Sequence, residues 1–244
     1  MHGKLYMNIP YADKDKAKSL GAKWDGDLKK WYYQGAVEDY LKFAGWIAGG
    51  SEIATIAFEY LHILEGTRTC FRCGKDTTVV ALGVGEHAVI YLNDEDKYEI
   101  AVREDLVGVG ECVHLAWVDS EEDIPPALLK YLKAHYNVKT GVSKIAGECF
   151  ANHCQHCGVI QGNNYVMDEV DSPLDCGIPD GPELKERLGK LKVKMFSIDE
   201  NLQLNWDLRY CDNDNLYLRY GKVEEIIIAP SGEDWISYKE MYEL

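Results

Sequence analysis

The chain of 244 residues has no uncharged apolar run of 18, so it holds no candidate membrane-spanning helix. Its first ten residues, MHGKLYMNIP, contain neither an apolar core nor a cleavage site for export. The reading is therefore a soluble cytoplasmic protein with reduced cysteines. Cysteine is sparse, at eight residues, which rules out a disulfide scaffold. Positive charge is also scarce: 26 Lys and Arg against 41 Asp and Glu leave a net charge of −15. A protein that coats duplex DNA with its whole surface is excluded by that balance.

Recognisable catalytic motifs are missing as well. There is no GxxxxGK[ST] phosphate loop, no HExxH and no GxSxG elbow. Gly83-Val84-Gly85 and Gly108-Val109-Gly110 lack the third glycine and the helix of a dinucleotide site. His114 lies in the strand-like run Val113–Trp117 and reads as a hydrogen-bonded interior histidine. Asp212-Asn213-Asp214-Asn215 carries calcium-type ligands without the glycine and distal glutamate of an EF-hand loop, so it reads as a hairpin turn. No catalytic residue is assigned.

With 46% hydrophobic and 11% aromatic residues, the chain can build a real core, and disorder is excluded. Charge is unevenly distributed. Residues 1–48 carry eight lysines against six acids, a net of +2, and the remainder sums to −17. The same segment holds nine of the 27 aromatic residues. Gly49-Gly50-Ser51 marks the change in composition and predicts a boundary between a module at 1–48 and a second domain at 51–244.

Strand-like residues 4–8, a helix over 13–20 stopped by Gly21, a strand at 31–33 and the helical spacing of Val37, Tyr40, Leu41, Ala44 and Ile47 predict a β-α-β-α module. Beyond the hinge, strands are expected at 53–58, 77–82, 88–92, 98–102 and 113–118. Helices are expected after Pro125-Pro126, with Leu128, Leu129, Leu132 and Tyr136 on one face, and near 182–191. Strands at 192–197, 204–210, 216–220 and 225–229 would close an antiparallel sheet. The fold class is α+β, with a mixed, mainly antiparallel second domain.

Two CxxCG units are the strongest signal: Cys70-Phe71-Arg72-Cys73-Gly74 and Cys154-Gln155-His156-Cys157-Gly158. Two residues between thiolates let one tight turn aim both sulfurs at one ion, and two such turns complete a tetrahedron. The 80 residues between them must fold to bring the turns together. The expectation is one structural Zn2+ held by Cys70, Cys73, Cys154 and Cys157, a closed sphere with no position for water. His153 and His156 flank the second unit and could replace a ligand, with Cys149 a weaker substitute. Cys112, Cys176 and Cys211 show no pairing spacing and read as small core residues.

Lys4 to Asn8, Pro10-Tyr11, the run from Ala17 to Asp25 and Lys30-Trp31-Tyr32 together resemble a small domain of unknown function. It occurs at the N-termini of plasmid- and phage-borne proteins, including primase-like and antirestriction proteins. The resemblance implies company with DNA metabolism or mobile elements. The two knuckles, with Val79 to Gly83 and Ala151 to His153, are similar to hypothetical bacterial proteins that carry paired CxxCG units.

Lys14, Lys18, Lys23, Lys29 and Lys30 lie among Trp24, Trp31 and Tyr32, the mixture that single-stranded nucleic acid binding uses. The preferred function is a non-catalytic binding or adaptor protein. Its N-terminal module would make a weak nucleic-acid contact, its acidic domain would contact an unknown protein partner, and no membrane would be involved. Two alternatives stand beside it. One is an enzyme whose active site carries no motif. The other is an acidic DNA mimic or anti-defence protein using the clusters 95–96, 121–123, 168–171 and 212–214.

Overall fold

The computed structural model describes residues 3–103, 112–227, 232 and 235–244. The run at 108–110 and the end of the expected strand at 225–229 lie outside the described residues.

A six-stranded sheet forms the centre, in the order Asp207–Leu208, His114–Trp117, Asp76–Val84, Tyr60–Thr69, Lys192–Ser197, Lys222–Ile227. Its pairings are antiparallel except the last, where Lys192–Ser197 runs parallel to Lys222–Ile227. Alternate residues of its strands enter two separate cores. Leu61, Ile63, Val80 and Leu82 pack on one face under the helix Pro126–His135, through Leu128 and Leu132, and under Met241. Leu64, Val79, Ala81 and Val193 pack on the other face with Val166, Met167, Leu184, Leu188 and Tyr217. Both faces are covered, which is why these strands read as continuous apolar runs rather than alternating ones.

The N-terminal residues form a three-stranded sheet, Leu5–Met7, Lys30–Tyr33, Lys23–Asp25, with the helix Lys14–Ser19 on one face. The module is thus β-α-β-β rather than β-α-β up to Tyr33, because Lys23–Asp25 pairs with Lys30–Tyr33 as a hairpin. The expected closing helix is largely a 3-10 segment, Val37–Phe43, followed by a single α turn, Ala44–Ile47. Val37, Tyr40, Phe43, Ala44 and Ile47 all point inward. They share one core with Ala54, Ile56, Ala88 and Ile90 from a second, four-stranded sheet ordered Leu202–Leu204, Ile53–Ala57, His87–Leu92, Tyr98–Arg103. Asn201 ties the two parts together, donating its backbone N–H to the Lys4 carbonyl at 2.9 Å and its side-chain amide to the Tyr40 hydroxyl at 2.6 Å.

Three further expectations fail. The strand expected at 204–210 is two short strands of different sheets, Leu202–Leu204 and Asp207–Leu208, parted at Trp206, which is buried in the core. Residues 216–220 form a helix, Leu216–Tyr220, not a strand, because Leu216 and Tyr217 on successive helical positions enter the core together. The turn at 212–215 therefore leads into a helix and not across a hairpin. The ten-residue strand Tyr60–Thr69, at the middle of the central sheet, is the main element the pattern did not reveal.

A third small sheet, Val138–Ser143, Gly147–His153, Ile160–Gln161, stands against the central one. The link is Asn152. Strand His114–Trp117 pairs with the central hairpin only as far as Leu82, and at Val80 the backbone edge is open. The side chain of Asn152 fills it, accepting the Val80 N–H and donating to the Val80 carbonyl, both at 2.8 Å and both buried. Asn152→Ala strands that amide and carbonyl, and a loss of about 2–4 kcal/mol is expected by urea denaturation. A change below about 1 kcal/mol would show that Asn152 does not couple the sheets.

Candidate metal centre

Both CxxCG units are hairpin tips. Cys70 to Lys75 connects Tyr60–Thr69 to Asp76–Val84, and Cys154 to Val159 connects Gly147–His153 to Ile160–Gln161. The two tips have the same backbone. The N–H of Cys70 donates to Lys75 O and that of Gly74 to Cys70 O, each at 2.9 Å. The N–H of Cys154 donates to Val159 O at 2.8 Å and that of Gly158 to Cys154 O at 2.9 Å. Gly74 and Gly158 both sit at φ +69°, the left-handed region that closes each turn and disfavours any residue with a Cβ.

The four sulfurs meet. Cys70 Sγ lies 3.7 Å from Cys157 Sγ, Cys73 Sγ lies 3.7 Å from Cys154 Sγ, and all four are within 4.8 Å of one another. Sulfurs on a tetrahedral ion with metal–sulfur bonds of ~2.3 Å stand about 3.8 Å apart, so the cluster has the size of a metal site. Burial opposes ionisation of Cys154, yet the amides of Cys157 and His156 and the thiols of Cys70 and Cys157 outweigh it and draw Cys154 down to about 6. Cys70 is lowered in the same way, with its burial outweighed by the amides of Cys73 and Arg72. Gln161 donates its Nε2–H to Cys70 Sγ at 3.6 Å. Backbone and side-chain donors thus favour thiolates at Cys70 and Cys154, whereas at Cys73 the Lys75 amide is outweighed by burial and the sulfurs of Cys157, Cys70 and Cys154, which hold that thiol up to about 11.

The neighbouring residues hold the tips together rather than joining the sulfur cluster. His156 Nε2 lies 2.9 Å from the Asp76 carbonyl, and the Gln155 N–H donates to Thr77 Oγ1, so the second tip grips the base of the first. His153 is buried, its Nδ1 is 3.0 Å from Ala151 O, and its Nε2 faces Gly141, where a Cβ would come within 2.7 Å. Cys149 is buried away from the sulfurs. Phe71 meets Tyr165 edge-on at 5.4 Å, and Arg68 lies over the Tyr165 ring at 3.5 Å while bonding Glu169 and Asp171.

The lysines and aromatics singled out in the N-terminal unit divide between two faces of its sheet. Trp24 pairs with Trp31, ring to ring at 5.3 Å, on the side covered by Lys14–Ser19, where Lys18 Nζ lies 5.8 Å from the Trp31 ring. Lys23, Lys30 and Tyr32 project from the opposite face, beside Lys4 and Asp25. Lys30 there reaches the ring of Tyr238 at 5.9 Å. Lys29 occupies the hairpin turn at φ 53°. Trp31 is 7% exposed and belongs to the core, whereas Trp24 is 52% exposed.

Several acidic clusters have internal work. Asp168 bonds Arg209, Glu169 and Asp171 bond Arg68, and Asp214 is buried against His114 at 2.7 Å. His114 is thus a hydrogen-bonded interior histidine. A second group that the sequence did not mark also converges: Cys176, Cys211 and Asp214 lie within 4.8 Å of one another. Among the described residues no helix is long and apolar enough to cross a membrane.

Residues 4–48 match a domain of unknown function, DUF5710. Two DNA primases TraC of Escherichia coli are similar to part of the chain. One is 30% identical over 86 residues, covering 35% of this chain and 8% of the primase. The other is 45% identical over 51 residues, covering 21% of this chain and 4% of the primase. Each match thus spans less than a tenth of the relative's length. No solved structure matches the chain. The N-terminal resemblance read from the sequence is thus shown by the domain match over residues 4–48 and the partial similarity to these primases.

The left-handed turns can be tested directly. Gly74→Ala and Gly158→Ala are each expected to cost about 1–2 kcal/mol, since only backbone conformation opposes the new Cβ. Gly26→Ala, outside the positive-φ region and with equally open space, serves as the control and should not destabilise the protein. Equal effects at Gly158 and Gly26 would remove the argument.

Proposed function

We propose that this chain is a non-catalytic binding or adaptor protein of DNA metabolism or mobile elements. One zinc ion staples its two hairpin tips, and the N-terminal unit makes a weak, local contact with single-stranded nucleic acid. The observation that carries the reading is the match of residues 4–48 to a domain of unknown function, together with the partial similarity to two DNA primases. Zinc is favoured by four cysteine sulfurs at tetrahedral spacing, and four thiolates fill the sphere, so the ion's role is to hold structure. The acidic remainder, net −17, then offers its surface to a protein partner and confines nucleic acid to the N-terminal unit.

Of the two faces of the N-terminal sheet, the one bearing the helix Lys14–Ser19 is the better platform. Lys14 lies there 3.9 Å from the ring of the 80% exposed Tyr11, and Lys18 lies 5.8 Å from the ring of Trp31, the cross-strand partner of the half-exposed Trp24. On the other face Lys23 and Lys30, with Tyr32, lie beside Asp25 and Glu200, whose carboxylates pair with Lys4, and Lys30 is drawn toward the Tyr238 ring. Lysines on phosphates and flat rings under bases give binding that weakens with salt.

Two measurements test this reading. Labelled single-stranded DNA should bind the intact protein at low salt, and Lys14→Glu/Lys18→Glu should reduce the slope of log affinity against log salt by about 1.4. Lys23→Glu/Lys30→Glu should have a smaller effect, and absence of binding at low salt overturns the contact. For the metal, one equivalent of zinc per chain is expected, released as pH falls because protons compete for the thiolates. Cys70→Ser or Cys154→Ser should lose the metal and lower Tm, and a variant that loses all metal yet melts unchanged would refute the structural role.

A further inference from the structure

Behind the central sheet, the loop after Met167 is stitched to the segment 209–217. Tyr217 donates its hydroxyl to Leu174 O at 2.5 Å, and Asn213 Nδ2 donates to the carbonyls of Cys176 and Ile178, both at 2.8 Å. This stitching sets Cys176 against Cys211, residues 35 positions apart in the chain. The two thiols are in unequal surroundings. Cys176 is fully buried, while Cys211 is partly open to solvent. The Cys176 thiol donates toward Asp214 Oδ1 at 3.6 Å, and Arg209 Nη2 lies 3.8 Å from Cys176 Sγ. Arg209 is anchored by Asp168, Met167 O and the Tyr217 hydroxyl, and its Nε–H is buried without an acceptor among the described residues.

A guanidinium this close to the pair opposes a divalent cation there, and its charge helps lower the Cys211 thiol. Asp214 is also committed: its Oδ2 accepts the Cys211 N–H at 2.9 Å and sits 2.7 Å from His114 Nδ1. We propose that Cys211 and Cys176 form a nucleophilic thiol pair that reacts with hydroperoxides, Cys211 attacking and Cys176 resolving. The site is separate from the four-cysteine cluster and does not depend on it.

The chemistry balances with a hydroperoxide as the oxidant. The Cys211 thiolate attacks the outer peroxide oxygen; the O–O bond breaks, the alkoxide leaves and takes a proton as the alcohol, and Cys211 becomes the sulfenic acid. Cys176 then attacks Cys211 Sγ; the S–S bond forms, the S–O bond breaks, and hydroxide leaves with the Cys176 proton as water. Two thiols lose two electrons and the peroxide gains them. The assignment of roles follows from access and from ionisation. Hydrogen bonding from the Cys176 thiol, whose one proton has both Cys211 and Asp214 in reach, together with the Asn213 amide and Arg209 outweighs burial and the Asp214 charge and brings the Cys211 thiol down to about 6. The same partner, burial and Asp214 hold Cys176 well above the ordinary thiol range. The charged and titratable groups facing the pair are Asp214, His114, Arg209, Asp168 and Tyr217.

The test uses the purified full chain in its metal-loaded form. Alkylation of Cys211, followed by mass spectrometry across pH 4–9, should show a half-point near 6. One equivalent of hydrogen peroxide should yield a Cys176–Cys211 disulfide before metal is released to a chromophoric chelator. Cys176→Ala should leave a sulfenic acid at Cys211 that dimedone traps, and Cys211→Ser should abolish both products with metal content and Tm unchanged. Should Cys176→Ala fail to fold, the wild-type disulfide and the alkylation profile decide alone. The proposal is overturned if Cys211 titrates as an ordinary thiol, if peroxide ejects metal without forming this disulfide, or if a second zinc binds and protects Cys211.

Discussion

The structure depends on bringing two hairpin tips to one point. Each tip is a six-residue turn closed by a left-handed glycine, and each offers two sulfurs that are ineffective as a closed site without the other pair. Bringing them together requires the long central hairpin, Tyr60–Thr69 with Asp76–Val84, to carry one tip and the separate small sheet to carry the other. Asn152 fixes their relative height by acting as a one-residue strand against Val80, and His156 and Gln155 fix it again at the tips. The two sheets are thus locked by hydrogen bonds, buried ones at Asn152 and more open ones at the tips, before any ion contributes.

Buried charge serves the same end. Arg68, nearly enclosed, is sandwiched by Tyr165 and held by Glu169 and Asp171, which ties the segment after the second tip to the strand leading into the first. Arg209 does this for the loop after Met167. Acidic residues that resemble a surface cluster in the sequence are in this way consumed by two arginines and one histidine. The net charge of −15 consequently overstates how much acidity these segments offer to a partner.

The N-terminal unit shows how aromatic residues divide between framework and surface. Trp31 fills the core beneath Lys14–Ser19, and Tyr40 and Phe43 close it from the other side. Trp24, paired across the hairpin from Trp31, stays outside because its strand is at the sheet edge. The three-stranded sheet exists because Lys23–Asp25 pairs with Lys30–Tyr33; a segment of Lys, Trp and Asp has too weak a strand signature to be read alone.

The sequence by itself determined the cysteine turns, since CxxCG encodes both the sulfur spacing and the left-handed glycine locally. It also determined the helices opened by Pro126 and Pro182, and most strands with β-branched runs. Composition marked out residues 1–48, and their pattern carried the resemblance that the domain match bears out. Only the tertiary structure decided that Tyr60–Thr69 is the central strand, that Leu216–Tyr220 is helical, and that Cys176 meets Cys211. In the first case burial on both faces erases the alternation that marks a strand, and in the second the segment is too short, at five residues, for a helical period to stand out. The last contact joins residues 35 apart through a loop held by side-chain-to-carbonyl bonds, which leave no spacing pattern in the chain.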